Sequence, residues 1–261
     1  MSISTAPTAA DPLSAVRAAE TAFLDAWPAL DTRWDGTWVW RFARGFTKRA
    51  NAFQCQDPGD DRDAEARLLR LAGWSREAGI APVFRQTPLC GPGIVAALDA
   101  LGWPAVEKSR ILWLNDLTTR HEVLHRVAIS LRAGPAWVAP QCALQGYDAA
   151  SRMTLKDIVA RMPDSATGLT VLDGDGAPAA SVLAVMVDGI AMFTNVVTSP
   201  AHRRQGFGRS AMAAALNLMA DAGATRSAIH VSHGNVPAEA LYAGLGFREI
   251  GTYLYRKEPA A

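Results

Sequence analysis

The sequence predicts a mixed α/β protein built as two related units in tandem, and three observations carry that prediction. Residues 180–257 alternate strand-like and helix-like segments, with a strand feeding a loop that opens a helix. All eight tryptophans lie at or before position 137, so the two ends of the chain pack with different material. Sliding the sequence by 144 residues without gaps places Gly45 on Gly189 and Asn51 on Asn195. The same shift puts Ala-Gly at 78–79 on Ala-Gly at 222–223, and LGW at 101–103 on LGF at 245–247. These matches fall at turns and element ends, where backbone geometry limits the residue, and a repeat bears on the fold before any local motif does. A boundary is expected near residues 114–122, where the apolar RILWL gives way to polar residues.

The second unit is read element by element. AASVLAVMVDG and IAMFTNVVTS are two strands joined at Asp188-Gly189, a favoured hairpin pair. Residues 208–222, GRSAMAAALNLMADA, combine helix formers with apolar residues at helical spacing and stop before Gly223. A short strand, SAIHVS, and a turn, HGN, follow. A second helix begins near Pro237, suitably placed in a first turn, and ends before Gly246. REIGTYLYRK closes the unit as a strand.

Composition bounds the function. With 49% hydrophobic and 20% charged residues in 261, the chain has ample material for a globular core. Lys and Arg number 26 against 25 Asp and Glu, without the basic excess of a nucleic-acid binder. The first residues, MSISTAPTAADPLSAV, lack the charged and apolar regions of a secretory leader, and no apolar run approaches a membrane span. Cys55, Cys90 and Cys142 form neither a CxxC pair nor a Cys/His metal pattern, so no metal is expected and a reducing cytoplasm suits them.

The segment TSPAHRRQGFGRSAMAAAL, residues 198–216, concentrates the chemistry. A helix N-terminus presents unpaired amides and the positive end of the helix dipole, and so attracts anions. Gly206 and Gly208 let a bulky anion approach the backbone, while Arg203, Arg204 and Arg209 offer charge-assisted hydrogen bonds. GFGRSA also matches the dinucleotide fingerprint, but PAHRRQ separates its glycines from the strand and the next strand ends without an acid. A Walker sequence is absent. A polar helix entry without a ligand is the remaining reading of the segment taken alone.

The downstream sequence changes the balance. NVVTSPAHRRQGFGRSAMAAAL is followed by a strand and then by NVPAEALYAGLGF. Together these resemble the GNAT superfamily of acyl-CoA-dependent N-acyltransferases, whose signature is R/Q-x-x-G-x-G/A after a strand, then N-x-x-A-x-x-L-Y-x-x-x-G-F. Arg203, Gly206 and Gly208 fill the first pattern; Asn235, Ala238, Leu241, Tyr242, Gly246 and Phe247 fill the second. The resemblance covers about residues 180–255.

It implies two tandem GNAT-like domains, residues 1–116 and 117–261, each a mixed, mostly antiparallel sheet flanked by helices. By resemblance, the backbone of Arg204, Gln205, Gly206, Phe207 and Gly208 wraps the pyrophosphate of acetyl-CoA, helped by Arg203, Arg204 and Arg209. Val196, Val197 and Thr198 run beside the pantetheine arm, and Asn235 contacts it. Tyr242 is the expected general acid for the departing thiolate, with packing on Phe247 as the alternative. The general base is left open among His230, His233, Glu239 and a water relay. The implied reaction is direct attack by an amine on the thioester. The acceptor is expected to be a small-molecule amine and the protein a monomer or homodimer. A protein N-terminus or lysine as acceptor, and a non-catalytic CoA-binding module, are the competing readings.

Under the 144-residue shift the phosphate loop's counterpart is DPGDDRDAEAR, residues 57–67, and Leu98 replaces Tyr242. Carboxylates there repel a pyrophosphate, so the first half is expected to be a degenerate copy without CoA binding. WVWRFARGFTKRAN, residues 38–51, reads as a hairpin with one polar face. Its Arg41, Arg44, Lys48 and Arg49 meet either an acidic acceptor or solvent.

Overall fold

A computed structural model describes residues 12–259; most of the segment over which no secretory leader is read lies outside them. The chain runs α1 (Pro12–Ala26), β1 (Asp31–Asp35), β2 (Trp38–Phe42), β3 (Phe53–Cys55), α2 (Ala64–Glu77), β4 (Val83–Gln86), α3 (Pro92–Ala100) and β5 (Ala105–Leu114). It continues β6 (Val127–Leu131), α4 (Pro135–Gln145), α5 (Ala149–Val159), β7 (Thr167–Leu172), β8 (Pro178–Val187) and β9 (Ile190–Thr198). α6 (Phe207–Asp221), β10 (Arg226–Ser232), α7 (Val236–Gly244) and β11 (Arg248–Lys257) complete it. Short 3-10 turns at Lys48–Ala50 and Pro200–His202 precede β3 and α6.

The duplicated punctuation at 78–79 and 101–103 closes duplicated helices. Shifting α3 by 144 residues lays it on α7, residue for residue; α2, β4 and β5 start 143 residues before α6, β10 and β11. The Asp188-Gly189 pair has positive φ at both residues, 48° and 74°, as a two-residue hairpin between right-twisted strands requires.

The two halves share one eleven-stranded sheet, ordered β1-β2-β3-β4-β11-β5-β10-β9-β8-β7-β6. β5, the last strand of the first half, lies between β10 and β11 of the second. β11, the last strand of the second half, lies between β4 and β5 of the first. Each half therefore completes the other, and the division in the sequence is not a division in the sheet. Pairing is antiparallel except at β3–β4 and β9–β10.

The cores follow this exchange. α6 covers one face of β7–β9, burying Phe207, Met212, Leu216 and Met219 with Phe193 and Ile229. α1 and α4 cover the opposite face, so α1, although first in sequence, packs on β8 and β9 as well as β5 and β11. That core joins Phe23 and Trp27 to Trp137, Leu183 and Met192. A third cluster closes the first half around Trp38, Trp40, Phe53, Leu68 and Phe84.

The hairpin expected over 38–51 is not what forms. β2 is buried at Trp38, Val39, Trp40 and Arg41, so it has no solvated polar face, and residues 43–52 form an ordered loop instead of a return strand. Asn51 holds that loop. Its Oδ1 accepts from the amides of Ala43 (2.7 Å) and Gly45 (2.9 Å), and its Nδ2 donates to the carbonyls of Phe46 and Thr47, both at 2.8 Å. One side chain thus supplies the hydrogen bonds a strand ladder would otherwise provide.

Because β5 ends mid-sheet and β6 is the far edge strand, residues 115–126 must cross the molecule. They do so along α6, from its C-terminal end to its N-terminal end. Arg120 Nη1 donates to Asn217 O (3.0 Å), His121 and Asn217 exchange two hydrogen bonds, and Leu124 N–H donates to Ser210 Oγ (3.1 Å).

Candidate active site

Two irregularities of β9 open the site. The β8 register slips between Ser181, opposite Val197, and Leu183, opposite Thr194, which leaves one extra residue on β9. Asn195 takes it up with φ of 55°. On the other side β9 runs parallel to β10 only as far as the Phe193–Ile229 pair. Beyond it the strands part, so Val196, Val197 and Thr198 turn unpaired backbone toward the gap and are only half-buried.

The loop after β9 leads into α6 through two left-handed residues, Arg204 at φ 60° and Gly206 at 85°. Gly206 is the N-cap, and the first bond of the helix, Ser210 N–H to Gly206 O at 2.8 Å, leaves the amides of Phe207, Gly208 and Arg209 at its mouth. Phe207 anchors the turn, buried and stacked on the His125 ring at 3.8 Å between centroids. Gly208 is needed for close approach: a Cβ there would stand 2.7 Å from Thr198 Oγ1. The cradle and the open end of β9 are therefore in contact.

Charge at this mouth is uncompensated. Arg203, Arg204 and Arg209 are exposed, and none has a carboxylate partner among the described residues. Gln205 donates from its side chain to Ala201 O (2.9 Å), while its carbonyl meets His125 Nε2 at 2.9 Å. Bare glycine, free helix amides and three unpaired guanidiniums fit a pyrophosphate. Arg209 departs from the simple expectation: its Nη1 lies 3.7 Å from where a Cβ on Gly244 would be, so the side chain reaches toward α7.

Tyr242 on α7 is buried, with its ring edge-on to Phe247 at 6.1 Å. Burial pushes its phenol above the ordinary value, with the Arg49 charge opposing, so it is protonated at neutral pH. Asn235 is the N-cap of α7, and its Oδ1 accepts from Ala238 N–H at 3.4 Å. Its placement in the signature thus has a local cause, helix capping.

The equivalent place in the first half has the same backbone and opposite chemistry. Asp63, the N-cap of α2, is left-handed at φ 52°, as Gly206 is at the start of α6. Asp61 Oδ2 accepts from Gly93 N–H at 3.0 Å, capping the start of α3. Asp60 accepts from Thr37 and from Arg67, whose Nη1 is 2.6 Å away. Asp60, Asp61 and Asp63 thus bring carboxylates to the loop before α2, where the loop before α6 carries glycine and arginine.

Of the histidines considered as base, His233 is exposed at the end of β10 and its amide donates to Lys108 O (2.9 Å). His230 is the first β10 residue beyond the β9 pairing, and its side chain is buried with Nε2 3.4 Å from Glu20 Oε1. Burial lowers its pKa, with Glu20 opposing, so the imidazole is neutral near pH 7. Glu239 Oε1 accepts from Gly234 N–H (3.0 Å) and faces Arg110 Nε at 3.2 Å, a structural engagement. Sequence reasoning missed Glu20, Arg85 and His125. An acid on the apolar i, i+3, i+4 face of α1, between Val16 and Phe23, was the available signal for Glu20; His125 had none.

A bulged strand splaying from its parallel neighbour, with a glycine cradle at the next helix, defines a GNAT-type acyl-CoA-dependent N-acetyltransferase, here in tandem form. Residues 13–256 match the family described as "Probable histone acetyltransferase Rv0428c C-terminal", and the chain belongs to that family. It is 25% identical over 247 residues to the uncharacterized N-acetyltransferase YobR of Bacillus subtilis (strain 168), covering 92% of this chain and 98% of that protein. Its fold is similar to that of a GCN5-related N-acetyltransferase from Kribbella flavida, with a TM-score of 0.72, 18% identity, and 97% and 98% of the two chains covered. A tandem GNAT protein from the clavulanic acid biosynthesis pathway superposes with a TM-score of 0.61 at 16% identity, over 80% of this chain and 76% of that one.

Proposed function

We propose that this protein transfers the acetyl group of acetyl-CoA to the primary amine of a small-molecule acceptor. The observation that carries this reading is the contrast between the halves: one helix mouth has glycines and unpaired arginines, and the loop before the other has Asp60, Asp61 and Asp63 in their place. The catalytic unit is residues 117–261, and residues 1–116 are a degenerate copy that binds no CoA. The protein acts in the cytoplasm as a monomer or homodimer.

Acetyl-CoA supplies the activated thioester when bound. The amides at the start of α6, with Arg203, Arg204 and Arg209, hold the pyrophosphate. The unpaired backbone of Val196, Val197 and Thr198 holds the pantetheine arm, and a fixed N–H in this gap stabilises the negative charge that develops on the carbonyl. Asn235 keeps its amide nitrogen for the same arm. Tyr242, held protonated by burial, gives its proton to the departing thiolate. Burial raises the thiols of Cys55, Cys90 and Cys142, that of Cys90 to about 12, which argues against a covalent cysteine intermediate.

Acetyl-CoA-dependent thiol release measured over a panel of free amines and peptides tests this reading. Turnover of a free small amine with kcat/KM above that of any peptide is expected. Preference for peptides would move the acceptor class to proteins. Tight acetyl-CoA binding without any turnover would favour a sensor.

A further inference from the structure

Four cations lie in or beside the 43–51 loop, and three are engaged. Arg41 donates to the carbonyls of Leu24, Trp27 and Arg49. Arg44 Nη1 pairs with Asp157 Oδ2 at 2.6 Å, and Lys48 with Glu107. The Arg49 guanidinium is different. Half-buried, it has neither a carboxylate nor a side-chain hydrogen bond among the described residues. It lies over the Phe23 ring, 5.8 Å from the centroid. That ring is 4.7 Å from the imidazole of His230, where β10 leaves β9.

The same loop reaches the second half on its other side. Phe46 packs edge-on against Tyr147, at the α4–α5 corner, with 5.1 Å between ring centroids. Burial is the largest influence on the phenols of Tyr147, Tyr242 and Tyr255 and raises each, while the Arg49 charge works against it at all three. The Arg49 charge thus bears on Tyr242, the proposed general acid. Its backbone cannot swing away: Asn51 closes the loop, and Trp27 Nε1 donates to Thr47 Oγ1 at 3.1 Å.

A half-buried guanidinium that rests on an aromatic ring with no anion beside it is stabilised by an anion that accepts two parallel hydrogen bonds, as a carboxylate does. An uncharged acceptor leaves it uncompensated and a polycation is repelled. We infer that Arg49, contributed by the degenerate half, binds the carboxylate of the acceptor, which is a small amine of the amino-acid class. This inference rests on the acetyltransferase reading and extends it to the substrate. It also gives the first half a function after the loss of its own cradle: it completes the acceptor site of the second.

The test uses the full chain saturated with CoA, titrated calorimetrically with N-acetylated amino acids and with the corresponding carboxamides. Wild type is expected to bind carboxylates at least about tenfold tighter than the amides, the usual scale for a hydrogen bond to a charged group. Arg49→Gln is expected to bring that ratio close to one without weakening CoA, and Arg49→Lys to give an intermediate ratio. Equal binding of carboxylates and amides by wild type overturns the inference, as does a preference that survives in Arg49→Gln. Spermidine turned over faster than every amino acid would also overturn it. Failure of the acetyltransferase reading registers separately, as wild type that does not bind acetyl-CoA.

Discussion

Glu20 on α1 and Arg85 on β4 face each other as a bidentate ion pair with neither side chain exposed to solvent, and Arg85 Nη2 donates to Glu20 Oε1 at 2.9 Å. Gln54 Oε1 accepts a further bond from Arg85 at 3.1 Å, and His230 Nε2 lies 3.4 Å from the same carboxylate. The pair fastens α1, covering the second half's sheet, to a strand of the first half.

Removing one member leaves the other charge buried and unpaired. Glu20→Ala is therefore expected to destabilise the fold by about 3–5 kcal/mol, whereas replacing Glu20 and Arg85 together by methionine costs far less. Denaturant unfolding of the three proteins checks this.

Acid should loosen the same contact. Burial alone would raise the Glu20 carboxyl, but Arg85 and His230 outweigh it and hold it well below the usual range. A folded-state pKa below the unfolded value of about 4.3 gives stability that is complete above that pH and lost as pH falls beneath it. Unfolding free energy measured from about pH 6 to pH 3 should fall more steeply for wild type than for Glu20→Gln.

Gly206 combines φ of 85° with a place at the mouth of α6. Gly206→Ala is expected to cost about 1 kcal/mol through the left-handed backbone alone. Gly206→Glu adds a repelling charge, and the rise in melting temperature that acetyl-CoA gives wild type should vanish in it. A preserved shift would remove the cradle assignment.

Tyr242→Phe deletes the phenol while leaving the ring against Phe247. Turnover should fall by about 10²-fold or more, with acetyl-CoA affinity nearly unchanged. Since burial raises the phenol, wild type should show no loss of rate from its ionisation up to about pH 10.

Asn51→Ala strands two amides and two carbonyls of the 43–50 loop, at an expected cost of about 3 kcal/mol. Because the loop carries Arg49, acceptor KM should rise more than acetyl-CoA KM. Steady-state kinetics at fixed acetyl-CoA separates the two.

Local order determined what could be read in the sequence itself. The helices at 207–221 and 236–244, the strand at 248–257 and the Asp188-Gly189 turn follow from periodicity, capping and residues that tolerate positive φ, all set within a few neighbours along the chain. The glycine-rich start of α6 was legible for the same reason: its glycines, arginines and helix start occupy one continuous segment.

Only the tertiary structure decided which strands are neighbours. Nothing local to REIGTYLYRK says that it pairs with Val83–Gln86, or that Ala105–Leu114 inserts beside His230. That exchange brings Glu20, Arg85 and His230 together, and it sets the Phe23 ring between the Arg49 guanidinium and the His230 imidazole, residues far apart along the chain. Its physical origin is the exposed backbone of an unpaired strand edge, which each half covers with the last strand of the other. A charge on an apolar helix face, such as Glu20, gives no sign in the sequence of the partner that makes its burial tolerable.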